Sequence, residues 1–373
     1  MIRRGIILSL VSCLFATGFS YAASGTDGAD FLNIPVGAEP AALGSAYSAL
    51  ASNAYAPTWN PGGLGFVDTS ELAAQQLSYL NSINYEYAGF VHPLTPGHSL
   101  GVSVQYLGSG NIAGTDVSGN SIGNFSSYYA SYNLSYGQVI TDKLSLGVTG
   151  KVISASLGSV GASAYAFDVG SMYKVNKRLT LAGVLTNVGT KLTFLDQQDS
   201  LPMSFHMGAS YEIDPHFTAL AEWVYEQTGV NVGRTGLEWR LCDAVALRAG
   251  YRSDTSQGLS SLSGFTMGIG LKVMGQEFSY AWVPMGALGN TQYFSVMIRF
   301  GGKNQPKRFT ETLPAKPAQP DTSQTGAKAV SPSKPLPPVS PSGSVANTRK
   351  GPCDFQNMTW DQLKANGCGS ETN

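Results

Sequence analysis

Between Ser70 and Gly301 apolar and polar residues alternate with a period of two, the pattern of strands whose two faces meet different surroundings. Leu144, Leu146, Val148 and Val152 share one parity, with Ser145, Thr149 and Lys151 on the other. Met203, Phe205, Met207, Ala209, Tyr211 and Ile213 alternate with Ser204, His206, Gly208, Ser210 and Glu212, and Phe265 to Val273 repeats the pattern. The alternation resolves into about fourteen segments, each near the length a tilted strand needs to cross a bilayer. They lie near 71–80, 84–92, 98–107, 125–137, 143–157, 163–174, 178–187, 203–213, 216–226, 230–240, 244–252, 263–273, 277–284 and 290–300. Their connections alternate in length. Thr95-Pro96-Gly97, Thr141-Asp142, Asn176-Lys177, Asp214-Pro215, Cys242-Asp243 and Met274-Gly275 are tight turns, and longer loops fall around 108–124, 188–202 and 253–262. Short turns on one side and longer loops on the other, with an even strand count, predict an all-β transmembrane antiparallel barrel. A soluble sandwich also alternates, but its inner faces meet in a core.

Composition strengthens the barrel reading. Charged residues make up 13% of the chain, about half the usual share for a soluble domain, and aromatics reach 10%. No apolar run after the N-terminal leader approaches the roughly 18 residues of a membrane helix, so a membrane crossing would be made by strands. A net charge of −1 gives no electrostatic case for nucleic acid. Tyr85, Tyr87, Tyr128, Tyr132, Tyr136, Trp223, Tyr225, Trp239, Tyr280, Trp282 and Phe300 bracket the strands as interfacial girdles would. The last strand ends on Phe300 and resembles the terminal strand recognised by barrel-assembly machinery, which with outer-membrane lipid is an expected partner.

The polar parity carries charges on three consecutive strands: Glu222 and Glu226, then Arg234, Glu238 and Arg240, then Arg248 and Arg252. A basic side chain facing lipid near the midplane costs roughly 2–4 kcal/mol, so these residues are expected to line the lumen. Counting back through the turn at Asp243 sets Glu238 opposite Arg248 as a cross-strand ion pair. Such a wall either contacts a plug or a passing solute, or merely solvates the interior.

Two ends of the chain have a different texture. Arg3 and Arg4 precede an apolar run from Ile6 to Phe19, and Ser20-Tyr21-Ala22 offers small residues for cleavage, the form of a secretory signal peptide over 1–22. A lipoprotein box at Leu10 to Cys13 is the competing reading. After Gly301, ten of the nineteen prolines mix with Ser, Thr, Lys and Ala, predicting a disordered periplasmic linker over 302–352. The terminal stretch 353–373 holds a small motif in which Thr359 and Gln362 suit a capping box and Gly367 a helix end. In an oxidising periplasm a Cys353–Cys368 disulfide is expected there, worth about 3 kcal/mol by chain entropy. It would serve as a tethered docking knob or as a protease-resistant end.

Residues 23–69 fit neither texture. Pro40 begins a run of small residues, Ala41, Ala42, Gly44, Ser45, Ala46 and Ala49, with Leu43, Tyr47 and Leu50 at helical spacing, which predicts a slender helix. Trp59-Asn60-Pro61-Gly62-Gly63 predicts a turn in which Pro61 fixes φ, Asn60 is pushed out of the helical region, and both glycines can take positive φ. The stretch resembles the N-terminal signature of the PorV/PorQ family of FadL-like outer-membrane barrels. The resemblance rests on Phe31-Leu32-x-Ile34, on Gly37-Ala38 with Leu43-Gly44-x-Ala46-Tyr47-x-Ala49-Leu50-Ala51, and on Trp59-Asn60-Pro61-x-Gly63-Leu64. Ser52-Asn53 stands where an acidic pair is usual, and Gly62 where alanine is common. The resemblance implies a hatch that folds into the barrel at 70–301 and plugs it, built on Gly37, Leu43, Gly44, Tyr47, Trp59, Asn60, Pro61, Gly62 and Gly63.

Catalytic chemistry has little support in the sequence. His92, His98, His206 and His216 are scattered without metal-ligand spacing, and no pattern calls for a cofactor. Gly119-x-Ser121-x-Gly123 matches a nucleophile elbow by letter but falls in a loop. The resemblance leaves two functions in view. One is a plugged channel for hydrophobic small molecules; the other is an accessory barrel that binds or shuttles cargo for a type IX-like secretion system.

Overall fold

Eighteen strands follow the alternation and its loops. They are β1 Ser70–Tyr79, β2 Ile83–Thr95, β3 His98–Gly108, β4 Ile112–Thr115, β5 Ser121–Phe125, β6 Ser127–Thr141, β7 Leu144–Leu157, β8 Val160–Lys174, β9 Leu179–Gly189, β10 Leu192–Phe194, β11 Gln197–Asp199, β12 Ser204–Glu212, β13 Phe217–Glu226, β14 Asn231–Cys242, β15 Val245–Arg252, β16 Phe265–Val273, β17 Gln276–Pro284 and β18 Asn290–Phe300. This computed structural model describes residues 27–79, 83–254, 264–284 and 289–300. The leader, the Pro-rich linker and the Cys353 and Cys368 motif lie outside the described residues.

Fourteen of the strands close into an antiparallel barrel in the order β1-β18-β17-β16-β15-β14-β13-β12-β9-β8-β7-β6-β3-β2. They are the segments expected from the alternation, with ends displaced by a few residues. Closure joins β1 to β18 from Ser70 opposite Phe300 to Ser78 opposite Gln292. The two remaining pairs, β4 with β5 and β10 with β11, are hairpins within long loops, and the alternation did not predict them. All long loops emerge at one end and the tight turns at the other, so the barrel starts and finishes at the short-turn end.

Burial is inverted relative to a soluble protein. Leu146, Val148, Val152, Phe205, Met207 and Phe294 are exposed on the outer wall, whereas Ser145, Thr149, Lys151 and Asp168 are buried in the lumen. A closed sheet satisfies every ladder hydrogen bond internally, which lets such an apolar wall stand in lipid. Tyr128, Tyr132, Tyr136, Tyr225, Trp239 and Phe300 are exposed as the girdle reading requires. Tyr85 and Tyr87 are a correction: both are buried on the lumen side of β2, where Tyr87 donates to the Ala54 carbonyl at 2.7 Å.

Residues 30–66 occupy the lumen as two short helices, Ala38–Ala42 and Ala56–Trp59, and two 3-10 turns, Asp30–Asn33 and Pro61–Phe66. The helix expected to run on from Pro40 stops at Ala42. Gly44 and Ser45 both adopt left-handed φ, and Ser45 N donates to the Pro40 carbonyl at 2.9 Å in a Schellman-type ending. The second expectation also changes. Asn60 is extended, but Gly62 and Gly63 lie inside the Pro61–Phe66 turn without positive φ. Their missing side chains matter for contact instead: a Cβ on Gly62 would stand 2.8 Å from the Gly170 carbonyl oxygen, and one on Gly63 would overlap the Ala51 carbonyl.

Candidate functional site: the plug and its seat in the barrel wall

The plug meets the wall at bare glycines, on several strands backbone to backbone. One inward-facing glycine from each of nine strands, Gly89, Gly101, Gly137, Gly147, Gly170, Gly208, Gly236, Gly250 and Gly268, lies where an added Cβ would strike plug atoms. On β7 that atom is the Pro61 carbonyl, on β14 the Leu43 carbonyl, and on β15 the Gly44 nitrogen. Gly44 itself is pressed against the Thr235 and Tyr251 backbone and donates to Thr266 Oγ1 at 3.0 Å. The glycine ring forms a seat, because only a bare backbone admits a second backbone this closely.

Polar groups fix the plug within that seat. Asn60 caps the Pro61–Phe66 turn by accepting from Gly62 N at 2.9 Å and donates to the Ser48 carbonyl at 2.8 Å and the Ser171 carbonyl of β8 at 3.1 Å. Trp59 Nε1 donates to the Val36 carbonyl at 2.8 Å, and its ring meets Tyr47 edge-on at 5.7 Å. Gly37 N donates to Gln75 of β1 and Ala38 N to Ser295 of β18. Leu43 is fully buried beside Gly236.

The charges on β13 to β15 divide into two clusters that each reach the plug. Arg248 contacts Glu238 at 2.9 Å, Glu277 of β17 at 2.9 Å and Glu39 of the plug at 3.2 Å. Arg299 extends the chain to Glu277 at 3.6 Å and to Glu71 at 3.0 Å, and Glu71 accepts from Ala54 N of the plug at 3.1 Å. Glu238 stands opposite Arg248 in the ladder, and Arg240, half-exposed at the short-turn end, shares Glu238 at 3.0 Å. In the second cluster Glu222 accepts from Ser48 N at 2.8 Å and pairs with Arg234 at 3.4 Å and His206 at 2.9 Å. Arg252 holds Asp254 at 2.6 Å and donates to Ser45 of the plug at 3.2 Å. Glu226 is half-buried near these groups, accepting from Thr228 at 3.5 Å.

Sequence reasoning missed several members of this lining: Glu39, Glu71, Glu277, Arg299, the buried Lys151–Asp168 pair at 2.7 Å, and the partners of His206. Their strand parity was available for the wall residues. Glu39, in a plug without periodicity, offered no such signal. Among the described residues no group of side chains is arranged to hold a metal ion.

Glu39 brings pH into the plug. Burial is the largest influence and raises its pKa; Arg248 opposes the rise, and Glu277 and Glu238 add to it, leaving the carboxyl at about 7 instead of 4.5. Glu39 shares Arg248 with Glu238 and Glu277, whose negative charge crowds it, and protonation of Glu39 relieves that crowding. A folded-state pKa above the unfolded value stabilises the seated plug fully below about 4.5 and loses that contribution as pH rises through about 7. Protection of Tyr47 and Tyr55 from chymotrypsin should therefore weaken across that interval, and Glu39→Gln should flatten the profile.

At the long-loop end the lumen turns apolar. Phe31, Leu77, Ile153, Leu192 and Leu201 are buried in one cluster, with Leu107, Tyr129, Phe194 and Val283 packed against it. The β10–β11 hairpin covers this region, and Gly28 N donates to the Ser200 carbonyl at 2.8 Å. Outside, Ala74 and Ala88 contribute to a groove of about 670 Å³ beside Tyr106 and Phe294.

The chain superposes on CymD, a monoaromatic hydrocarbon channel, with a TM-score of 0.53 and 14% identity, over 72% of this chain and 98% of that one. It superposes on the Pseudomonas putida toluene transporter TodX with a TM-score of 0.50 and 13% identity, over 70% of this chain and 96% of that one. The chain shares the fold of these two barrels. No family model and no curated protein matches the sequence. The barrel seen here has 14 strands, and its plug is built from the N-terminal residues that precede β1.

Proposed function

We propose that the protein is a plugged outer-membrane channel that admits small hydrophobic molecules from the long-loop end. The observation that carries the reading is the apolar cluster at the long-loop end of the lumen, where Phe31 of the plug packs with Leu77, Ile153, Leu192 and Leu201. A water-filled porin lines its interior with polar groups, and an apolar lining favours a solute that leaves water. The exposed apolar belt and the girdle aromatics support an outer-membrane location, with a signal peptide over 1–22 as the export route. The named activities of CymD and TodX are consistent with this chemistry. The test is initial uptake of a radiolabelled monoaromatic hydrocarbon by cells with a lipopolysaccharide outer leaflet that lack their own channel for it. Expression of the protein should raise uptake several-fold and leave sugar uptake unchanged; equal uptake with and without it would refute the channel.

A second reading has one observation of its own. The β4–β5 hairpin at the long-loop end presents Val117, Ile122 and Phe125 to solvent. Together with the PorV/PorQ resemblance of residues 31–66, this favours a surface that binds secreted cargo while the plug stays closed. Co-purification of secreted proteins that is lost on deleting residues 112–125 would support it.

A further inference from the structure

A hydrogen-bonded Ser, His and Glu relay lies on the lumen face of β12 and β13. Ser204 and His206 are two residues apart on one strand, so both side chains project to the same side. Ser204 Oγ is 2.9 Å from His206 Nε2, and His206 Nδ1 is 2.9 Å from Glu222 Oε1. Glu222 is itself held by Ser48 N at 2.8 Å and by Arg234 at 3.4 Å. A carboxylate that accepts from Nδ1 fixes the imidazole tautomer, leaving Nε2 to take the hydroxyl proton. Among the described residues, His206 is the histidine whose two ring nitrogens meet a hydroxyl and a carboxylate.

The surroundings suit a reaction on an apolar ester. The Glu222 side chain is 1% exposed, that of His206 is 13% exposed and Ser204 is buried, so the relay is shielded from bulk water. Leu201, three residues before Ser204, belongs to the apolar cluster under the β10–β11 hairpin. Thr186 Oγ1 lies 2.8 Å from Ser204 Oγ and donates to the Ser204 carbonyl at 3.3 Å, and rotation of this hydroxyl would let it donate to an oxygen that becomes negative beside the nucleophile.

We propose that the lumen carries an esterase site, with Ser204 as nucleophile, His206 as general base and Glu222 as the orienting acid, for carboxylic esters bearing an apolar acyl chain. Ser204 Oγ bonds to the ester carbonyl carbon while its proton passes to His206 Nε2. His206 gives that proton to the departing alkoxide oxygen as the ester C–O bond breaks, and the alcohol leaves with the acyl group on Ser204. Water then attacks the acyl carbon and gives a proton to His206, which returns it to Ser204 Oγ as the acyl–serine bond breaks and the carboxylic acid departs. The reaction consumes one ester and one water and needs no oxidant or metal. It does not require that the ester cross the barrel, so it stands or falls apart from the channel reading.

The test uses full-length protein in mild detergent, with folding checked by heat-modifiable migration on a gel. A fluorophosphonate probe followed by peptide mapping should place one label on Ser204, and p-nitrophenyl butyrate should be hydrolysed. Ser204→Ala should abolish both, and His206→Gln should slow labelling by on the order of 100-fold. Folded wild-type protein that carries no label on Ser204, or hydrolysis unchanged in Ser204→Ala, would overturn the proposal. If the variants fail to fold, the labelled position in the wild-type protein still decides the question.

Discussion

Arg248→Met is expected to loosen the plug from the wall and open the barrel to ions. Arg248 is buried and is the shared counter-charge for Glu238, Glu277 and Glu39, three carboxylates on two strands and the plug. Removing one partner of a buried ion pair costs about 3–5 kcal/mol, because the charge left behind is neither solvated nor matched. Here the least costly relief is to move Glu39, the one carboxylate that is not on a barrel strand, towards water. The expected results are a higher single-channel conductance in planar bilayers and faster chymotrypsin cleavage at Tyr47 and Tyr55. Trypsin would not report this, since residues 27–66 contain neither lysine nor arginine. Arg240→Met is the matched control: Arg240 shares Glu238 at 3.0 Å, but its side chain is 46% exposed, so water screens the loss to about 1 kcal/mol or less. Adding Glu39→Gln to Arg248→Met should restore part of the closure. A closed, protease-resistant Arg248→Met barrel would show that the ion pairs do not hold the plug.

The barrel was legible because its physics is local. A side chain's parity on a strand decides whether it meets lipid or lumen, and the tight turn at Asp243 sets the register that brings Glu238 to Arg248. The plug was legible in position but not in shape. Small residues after Pro40 fit a helix by propensity, yet tertiary contact decides otherwise, since Gly44 bends left-handed to lie along β14 and β15. Tyr85 and Tyr87 show the same limit. An aromatic near a strand end suits either a girdle or a plug contact, and only the parity of β2, read together with Val91, turns both inward. His206 looked isolated because its partners come from the neighbouring strand and from a position two residues away on its own, a relation no linear motif expresses.

The glycine seat carries the second large effect. Gly147→Val on β7 would place its Cβ on the Pro61 carbonyl and 2.7 Å from Gly62 N, atoms of plug backbone that cannot swing aside as a side chain can. Overpacking a filled interior costs about 1–3 kcal/mol even where side chains yield, and here the plug must shift as a body or the barrel must widen. Gly150→Val on the same strand is the control. Gly150 faces outward with only the Leu134 carbonyl oxygen at 4.0 Å, so the new methyls should enter lipid with little effect. The pair separates plug contact from strand propensity, because both exchange glycine for the same β-branched residue in one strand. Gly147→Val should raise conductance and chymotrypsin access at Tyr55, and Gly150→Val should change neither; equal behaviour of the two would refute the seat. Gly147 lies at the Pro61 end of the plug, whereas Arg248 grips Glu39 across the lumen. A plug that moves as one body loses the second anchor once the first has given way. Combining Gly147→Val with Arg248→Met should therefore raise conductance by less than the sum of the two single effects. A plug whose ends moved independently would give the full sum.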